Sequence, residues 1–259
     1  MEFIITELQD KIGIITLNND PKRNVLNRDL INELIHALNG MIHQRARAVI
    51  LRAQPGAKVW SAGFDITKLP LPGRDPLPYY NPLEQVIRAI QRCPAPVLAM
   101  IEGSVWGGAC EMAFVCDLLI GTPATTFAIT PAKIGIPYNP TGILHVLNML
   151  GAAVAKELFF TGQPLSAQRA YNLGILNRLV PAEELEAATM EMARQIAANS
   201  PTSIAVIKEQ LRILGNALPL SAETFERIQG LRRQVYDSKD YLEGQTAFLE
   251  KRKPVFTGE

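Results

Sequence analysis

Two short glycine-containing segments could bring backbone amides close to a ligand. WSAGFDI follows the apolar run RAVILRA, and EGSVWGGACEM lies between the apolar run PVLAMIEG and a predicted helix that begins near Gly107. Glycine lets the backbone approach a ligand closely, and free N–H groups at a helix start attract negative charge. Each segment alone also fits a closely packed turn between a strand and a helix. The second lacks G-x-G-x-x-G spacing, so we reject nicotinamide dinucleotide binding.

The other reactive side chains form no recognisable catalytic or metal-binding motif. No base stands beside a serine or cysteine as in a nucleophile motif. Cys110 follows the second glycine turn, and we interpret it as a small buried thiol rather than a nucleophile. The three cysteines are odd in number and lack metal-type spacing, which argues against a disulfide framework or a zinc site. We therefore expect no metal, no tightly bound cofactor and a cytoplasmic location.

Composition narrows the class of protein further. The chain has 259 residues, of which 47% are apolar and 20% are charged, so it can bury a sizeable core. Its formal net charge of +1 gives no overall basic field, and we expect no nucleic-acid partner. The first residues lack the layout of a secretory signal, and no apolar run looks long enough to span a bilayer. An anionic ligand must then be held by local groups.

The elements that must position the glycine turns follow a βαβ pattern. FIITEL and KIGIITLN predict a strand pair with Asp10 and Lys11 near the turn, and Asn27 predicts the cap of a helix. RAVILRA, PVLAMIEG and CDLLIGT predict strands buried on both faces, with a helix over 84–92 between the first two. After TPAKIGIPYNPTG the sequence becomes helical almost to its end. The fold class is therefore α/β.

One proline-rich stretch, LPLPGRDPLPYYNP at 69–82, fits no regular element. We predict an exposed loop there. It could be a surface connection or a lid over a site, and the sequence favours neither interpretation.

The sequence resembles the crotonase family, also called the enoyl-CoA hydratase/isomerase superfamily, over essentially its whole length. The matching segments are NDPKRNVLN, KVWSAGFDI, PVLAMIEGSVWGGACEMAFVCDLLI, LFFTGQPLSAQRAYNLGILNRLV and AFLEKRKPVF. The resemblance implies a crotonase-like spiral of repeated ββα or βαβ units with a perpendicular sheet. It also implies a core over 1–200 and a C-terminal helical region over 201–259 that mediates trimerisation. A homotrimer, or a homohexamer built as a dimer of trimers, is expected.

The resemblance assigns the two glycine segments a shared task. It implies an acyl-coenzyme A thioester substrate whose carbonyl oxygen lies between the backbone N–H groups of Phe64 and Gly108. An enolate places negative charge on that oxygen, and each preorganised donor in a dry site contributes about 100-fold to 1,000-fold in rate. Coenzyme A is then part of the substrate, and no separate cofactor is expected.

Contacts with coenzyme A are also implied by the resemblance. The backbone around Ala62 is expected to meet the adenine, and Lys22 and Arg23 to approach the phosphates. Phe248 and Lys251 match positions that, in hydratases, reach the ligand of a neighbouring subunit. For the basic residues, a solvated surface is an equally good interpretation.

The residues of acid-base chemistry depart from the pattern of family hydratases, which use two glutamates. The first matches Glu111, whereas Pro131 stands where the second is expected. A prolyl side chain cannot transfer a proton, so hydration and isomerisation lose a principal acid-base group. Loss of carbon dioxide from a malonyl-type thioester instead gives the enolate without removal of a carbon-bound proton.

Further segments resemble the branch of the family that decarboxylates methylmalonyl-CoA to propionyl-CoA: LPGRDPL, EGSVWGGACEM, TPAKIGIPYN and FERIQGLRRQVYDSKDYLEG. Phe64 departs from this branch, which has histidine there. The resemblance implies that Tyr138 orients the substrate carboxylate, while Glu111 is either a proton donor, a water-organising group or a structural residue. Thr130, which precedes Pro131, is a further catalytic candidate. The alternatives are a hydratase or isomerase that uses Glu111 alone and a noncatalytic acyl-CoA binder.

Overall fold

Strands and helices alternate along most of the chain. The computed structural model describes residues 2–68, 79–215 and 221–258, so most of the predicted loop over 69–82 lies outside the described residues. The strands are β1 Ile4–Gln9, β2 Ile12–Leu17, β3 Ala48–Ala53, β4 Val59–Ser61, β5 Val97–Ile101, β6 Ser104–Trp106, β7 Leu118–Gly121, β8 Thr126–Ala128, β9 Leu165–Ser166 and β10 Arg178–Leu179. The helices are α1 Arg28–His43, α2 Pro82–Arg92, α3 Gly108–Phe114, α4 Pro140–Thr161, α5 Ala167–Asn172, α6 Leu185–Ala197, α7 Pro201–Gly215, α8 Ala222–Tyr236 and α9 Lys239–Leu249.

The strands form two sheets, and from β3 to β8 the chain adds strands to them alternately. One sheet has the order β1-β2-β3-β5-β7-β10, and the other has the order β4-β6-β8-β9. After β3, β5 and β7 the chain adds one strand to the second sheet before it enters a helix, which gives the predicted repeating ββα spiral. Pairing from β2 to β10 is parallel in the first sheet, as the continuous apolar strands predict.

Local sequence signals account for the first strand pair and for the helix that follows it. β1 and β2 are antiparallel, and Asp10 and Lys11 turn the chain between them with φ of 49° and 65°. The side chain of Asn27 accepts a hydrogen bond from the Leu30 N–H and caps α1 as predicted. The apolar stripe of α1 then packs into the main core beneath the sheet. The predicted strand pair and helix cap are confirmed.

Helix α4 departs from the expectation that no apolar segment is long enough to cross a bilayer. By length and composition alone α4 could do so, since an 18-residue window in it has a mean hydropathy of 1.5. The helix is interrupted at Gly151, where φ is 69° and ψ is 167°. Val146, Ala155 and Leu158 pack into the core of this chain. Its apolar residues are therefore partly explained by packing within the fold.

The C-terminal helices pack back on the core through a few specific contacts. The ammonium of Lys208 on α7 donates to the carbonyls of Ile90 and Ala95 and lies 2.7 Å from Asp117 Oδ2. Helix α9 packs against the 3-10 turn Pro131–Ile134, which follows β8. The boundary between a core through 200 and a helical region from 201 stays a prediction.

Candidate active site

Three neighbouring parallel strands deliver the two glycine segments and the Thr130 turn to one edge of the second sheet. β6 pairs in parallel with β4 on one side and with β8 on the other. The loops that leave their carboxyl ends begin at Ala62, Gly107 and Ile129. Because parallel strands end at the same edge, these loops lie side by side. Segments far apart in sequence thus form one site.

Glycine is required at two points of this edge. Gly63 has a φ of +86°, and a Cβ atom there would lie 2.4 Å from the Trp106 carbonyl oxygen. Gly107 has a φ of 53° and a ψ of −123°, a conformation open essentially to glycine. Gly63 therefore lets the two segments touch, and Gly107 sets the direction of the peptide that follows it.

Both expected oxyanion donors have N–H groups that no acceptor within the described residues takes up. Phe64 forms a parallel bridge with Leu26, in which the Leu26 N–H donates to the Gly63 carbonyl and the Asp65 N–H donates to the Leu26 carbonyl. In such a bridge the N–H of the intervening residue points away from its partner. Gly108 is the first residue of α3, where an N–H has no partner within the helix.

A cleft of about 650 Å³, including its open mouth, lies at this edge. It collects five of the predicted catalytic and coenzyme A-binding residues: Ala62, Phe64, Gly108, Thr130 and Tyr138. The other lining residues described are Ile66, Leu83, Gly107, Pro131, Ile134, Ile136, Pro137, Asn139 and Tyr236. None of these is acidic or basic, so the described walls offer hydroxyls, an amide and backbone groups to a ligand.

Glu111 lies behind the wall of the cleft rather than among its lining residues. The side chain is fully buried, and Asn139 Nδ2 donates to Oε2 at 3.2 Å. His145 Nδ1 lies 3.1 Å from Oε1, and Gln91 Nε2 lies 2.9 Å from the other ring nitrogen of His145. Since the glutamine amide nitrogen can only donate, a neutral ring that donates from Nδ1 satisfies both contacts. The geometry therefore shows a tethered carboxylate, and a catalytic role for Glu111 stays a prediction.

A second buried carboxylate, Glu84 of α2, accompanies Glu111. Thr141 donates to Glu84 Oε1 at 2.9 Å, and Arg88 Nη1 lies 3.6 Å from Oε2. Burial raises the pKa of Glu84, and the nearby Glu111 carboxylate raises it further. Glu84 therefore binds its proton more tightly in the folded chain than in the unfolded chain.

Tyr138 enters the cleft from the loop that precedes α4. Its hydroxyl donates to the Gly107 carbonyl oxygen at 3.3 Å, and its ring packs on Phe159 with 5.1 Å between centroids. Burial raises the pKa of this phenol well above 10, and the charge of Glu111 adds to the effect. Tyr138 therefore keeps its proton at physiological pH.

The residues expected near coenzyme A phosphates lie at the rim. Lys22 and Arg23 are exposed, and the Arg23 carbonyl accepts from the Ala62 N–H at 2.8 Å. Buried Asn24 holds this turn, because its side chain accepts from the Asn19 N–H and donates to the Trp60 carbonyl. The structure thus brings both basic residues to the Ala62 side of the cleft.

The two C-terminal residues expected to contact a ligand, Phe248 and Lys251, differ in their position relative to the cleft. Phe248 lines a depression that shares Ile66, Ile134 and Ile136 with the main cleft of the same chain, whereas Lys251 lies exposed just beyond α9 and lines neither hollow. The expected contacts of both with a neighbouring subunit's ligand stay predictions.

Sequence reasoning missed Asn139 and Tyr236, which also line the cleft. Asn139 is the cap of α4 followed by Pro140, a pairing that marks helix starts and could have located it. Tyr236 comes from α8, almost a hundred residues farther on, and no local pattern places it there.

The structure also shows the environment of the cysteines and of the side chains that could hold a metal ion. Cys93, Cys110 and Cys116 are buried free thiols, and burial raises the pKa of Cys110 to about 12. Cys110 therefore remains a thiol, as interpreted from the sequence. Within the described residues, no group of three or more histidine, cysteine, aspartate or glutamate side chains is placed to hold a metal ion.

Comparisons with known proteins agree with this architecture. The family model described as enoyl-CoA hydratase/isomerase matches residues 7–259. Methylmalonyl-CoA decarboxylase of Escherichia coli (strain K12) is 50% identical over 96% of this chain and 95% of its own length. A probable mitochondrial enoyl-CoA hydratase 2 of Arabidopsis thaliana is 32% identical over 95% of this chain and 82% of its own.

Solved structures extend the comparison to the fold. Methylmalonyl-CoA decarboxylase complexed with 2S-carboxypropyl-CoA superposes with a TM-score of 0.98 at 48% identity, covering 100% of this chain and 99% of the other. A structure of methylmalonyl-CoA decarboxylase in complex with 2-nitronate-propionyl-CoA gives a TM-score of 0.97 at 49% identity, with 99% of both chains covered. The chain therefore belongs to the enoyl-CoA hydratase/isomerase family, the crotonase family that its sequence resembles over essentially its whole length.

Proposed function

We propose that the chain is an acyl-CoA decarboxylase that converts methylmalonyl-CoA to propionyl-CoA and carbon dioxide. The observation that carries the proposal is the cleft itself. It presents two backbone donors, yet Pro131 occupies the expected place of the second glutamate and no described lining residue is acidic or basic. The E. coli relative, at 50% identity, is named for this activity.

The proposed reaction breaks the bond between the α-carbon and the substrate carboxylate. The electron pair of that bond moves toward the thioester and forms an enolate, while carbon dioxide leaves. Uptake of one proton at the α-carbon then gives propionyl-CoA. The N–H groups of Phe64 and Gly108 stabilise the charge that develops on the thioester oxygen. No enzymatic base removes a carbon-bound proton, and no cofactor is invoked.

The substrate carboxylate must stand roughly perpendicular to the thioester plane and lose its water. The apolar walls contributed by Ile134, Ile136 and Pro137 favour that loss. Thr130 is the proposed hydroxyl partner of the carboxylate, a task that the family resemblance also gives to Tyr138. Both reside in the cleft, and a hydroxyl satisfies a carboxylate oxygen without neutralising it.

Ala62, Lys22 and Arg23 are proposed to hold the coenzyme A portion at the rim. Phe248 is proposed to extend this surface beside the cleft, and Lys251 to supply a charge for a phosphate. The shared backbone contact between Arg23 and Ala62 supports a continuous binding surface.

We further propose a homotrimer or homohexamer in a cytoplasmic location. Helix α7 leaves several apolar side chains exposed by half or more, namely Val206, Ile207, Leu211, Ile213 and Leu214. A surface of this kind marks an association site. Three free thiols without a disulfide support a reducing compartment.

The decisive experiment incubates the purified protein separately with methylmalonyl-CoA, malonyl-CoA and crotonyl-CoA and follows the products by mass spectrometry. We expect propionyl-CoA from the first, in excess of a no-enzyme control. Hydration of crotonyl-CoA with methylmalonyl-CoA left intact would instead indicate a hydratase. Binding without turnover of any thioester would indicate a noncatalytic acyl-CoA binder.

A further inference from the structure

The hydrogen bond from Tyr138 ends on the oxyanion hole itself. Its hydroxyl donates to the Gly107 carbonyl oxygen at 3.3 Å. That carbonyl and the Gly108 N–H belong to one peptide unit, which is planar and conjugated. A donor at the oxygen of such a unit draws electron density from its nitrogen and strengthens the N–H as a donor. The hydroxyl is thus coupled to the thioester oxygen through a single peptide.

We propose that Tyr138 is a positioning residue that orients and polarises the Gly107–Gly108 peptide of the oxyanion hole. The inference rests on the proposed function, because it concerns the enolate that decarboxylation would generate. It differs from the expected role of Tyr138, which was to orient the substrate carboxylate.

This peptide needs a support from outside its own turn. Gly107 has no side chain to restrict rotation, and it adopts a conformation with φ of 53° and ψ of −123°. The preceding peptide is fixed by β8, because the Gly107 N–H donates to the Ala128 carbonyl at 2.8 Å. The Gly107 carbonyl accepts from the Cys110 N–H at 3.0 Å and from Tyr138. Tyr138 is the one of these two donors that comes from another element.

Tyr138 is well suited to hold this contact. Its ring is fixed against Phe159, and burial raises its pKa, so the hydroxyl stays protonated. A phenol has one proton to donate. While that proton is directed at Gly107, the oxygen presents only lone pairs to a substrate carboxylate, which would repel it. Tyr138 could therefore orient the carboxylate only by giving up its hydrogen bond to Gly107. The Thr130 hydroxyl can donate to the carboxylate without breaking that bond.

The test uses propionyl-CoA labelled with carbon-13 at the thioester carbonyl, because this ligand has no carboxylate. Infrared difference spectra of the bound ligand report how strongly the oxyanion hole polarises that carbonyl. We expect Tyr138→Phe to move the carbonyl stretch back toward its value in free propionyl-CoA. Thr130→Val, a matched loss of one hydroxyl in the same cleft, should leave the stretch at the wild-type value. An unchanged stretch in Tyr138→Phe would overturn the proposal.

Kinetics and a second variant complete the test. With methylmalonyl-CoA we expect Tyr138→Phe to lower kcat about 10-fold with KM changed less than about 2-fold. If Tyr138→Phe fails to fold by circular dichroism, 3-fluorotyrosine at position 138 is a stronger donor and should shift the stretch farther from the free value; no change would contradict the proposal. A wild-type protein that polarises propionyl-CoA but leaves methylmalonyl-CoA intact would overturn the proposed function while the inference on Tyr138 stands.

Discussion

At Gly107 the direction of one peptide depends on the absence of a side chain. We predict that Gly107→Ala lowers decarboxylation about 100-fold, because an alanine there disfavours the backbone angles that aim the Gly108 N–H into the cleft. We also expect a loss of about 1–3 kcal/mol in the free energy of unfolding. Steady-state kinetics and urea unfolding measure the two effects.

Gly40 offers a matched control for this substitution. It lies inside α1, and a Cβ atom there would meet nothing within 4 Å. Gly40→Ala should leave activity unchanged and stabilise the fold by about 0.5–1 kcal/mol. Equal activity of the two variants would contradict the role given to Gly107.

The cysteines provide a prediction about reactivity. Cys93, Cys110 and Cys116 are buried, and burial raises the pKa of each thiol. We predict that a chromogenic disulfide reagent at pH 8 labels none of them in the folded protein and all three in denaturant. Rapid stoichiometric labelling of the native protein would show that a thiol is accessible and would undermine the assignment of Cys110 as inert.

At the level of single residues, the family resemblance assigned Phe64 and Gly108 as oxyanion donors, and the glycines beside them mark turns that lie close together in the structure. It also identified Pro131 as a departure from the family's chemistry. It could not show that Asn139 and His145 hold the buried Glu111 carboxylate, since a carboxylate's contacts depend on neighbours from other elements. Tyr236 was missed for the same reason.

Among the helices, α7 is attached to the core partly through the side chain of Lys208. Lys208 joins α7 to two carbonyls and to Asp117, and its side chain is 10% exposed. We predict that Lys208→Met lowers the free energy of unfolding by about 1–2 kcal/mol, because two carbonyls and the partly exposed Asp117 carboxylate lose the ammonium, while Asp117 keeps the hydrogen bond from the Val97 N–H. Urea unfolding measures this change. Lys156→Met, on the exposed side of α4, should change stability by no more than about 0.5 kcal/mol, and similar losses in both would contradict the prediction.

Glu84 of α2, which accepts a hydrogen bond from Thr141 of α4, predicts that the stability of the fold depends on pH. Because burial raises the pKa of Glu84 above its usual 4.5, the folded state binds this proton more tightly than the unfolded state does. The contribution of Glu84 is then fully present below pH 4.5 and is lost as pH rises through the folded pKa. Glu84→Gln keeps an acceptor for Thr141 but cannot ionise. We therefore expect the variant to gain stability relative to wild type between pH 4 and pH 8, as measured by urea unfolding.

Glu157 supplies a control of opposite sign. Its hydrogen bonds to Arg169 lower its pKa, so its contribution is present above pH 4.5 and is lost as pH falls through the folded value. Glu157→Gln should lose a little stability near pH 7. The same trend with pH in both variants would contradict the assignment for Glu84.

The longer elements could be predicted from apolar spacing, since α1 and the strands of the first sheet bury regular faces. The second sheet could not, because β4, β6 and β8 have three residues each and show no usable period. Only the resemblance to a family implied that a second sheet exists. The short strands matter most for the site, since their ends align the three loops of the cleft.

For the whole molecule, the exposed apolar residues of α7 predict an assembly. We expect Leu211→Asp together with Leu214→Asp to reduce the molar mass in light scattering after size exclusion, because the two leucines are 67% and 72% exposed in the single chain. The far-ultraviolet circular dichroism should stay unchanged. Ile5→Asp on β1, at a position 41% exposed, serves as the control. Unchanged mass in the α7 variant would place the association surface elsewhere.

The placement of Tyr236 and α9 also has a consequence for biosynthesis. Phe64 and Gly108, the proposed oxyanion donors, lie in the first half of the chain, yet the cleft wall includes Tyr236, and α9 packs on the turn that carries Pro131. A nascent chain that has left the ribosome only as far as α6 would hold the donors in an open groove. We therefore expect substrate capture to begin only after α8 and α9 have been synthesised and have folded back, which would delay catalytic competence until most of the polypeptide is complete.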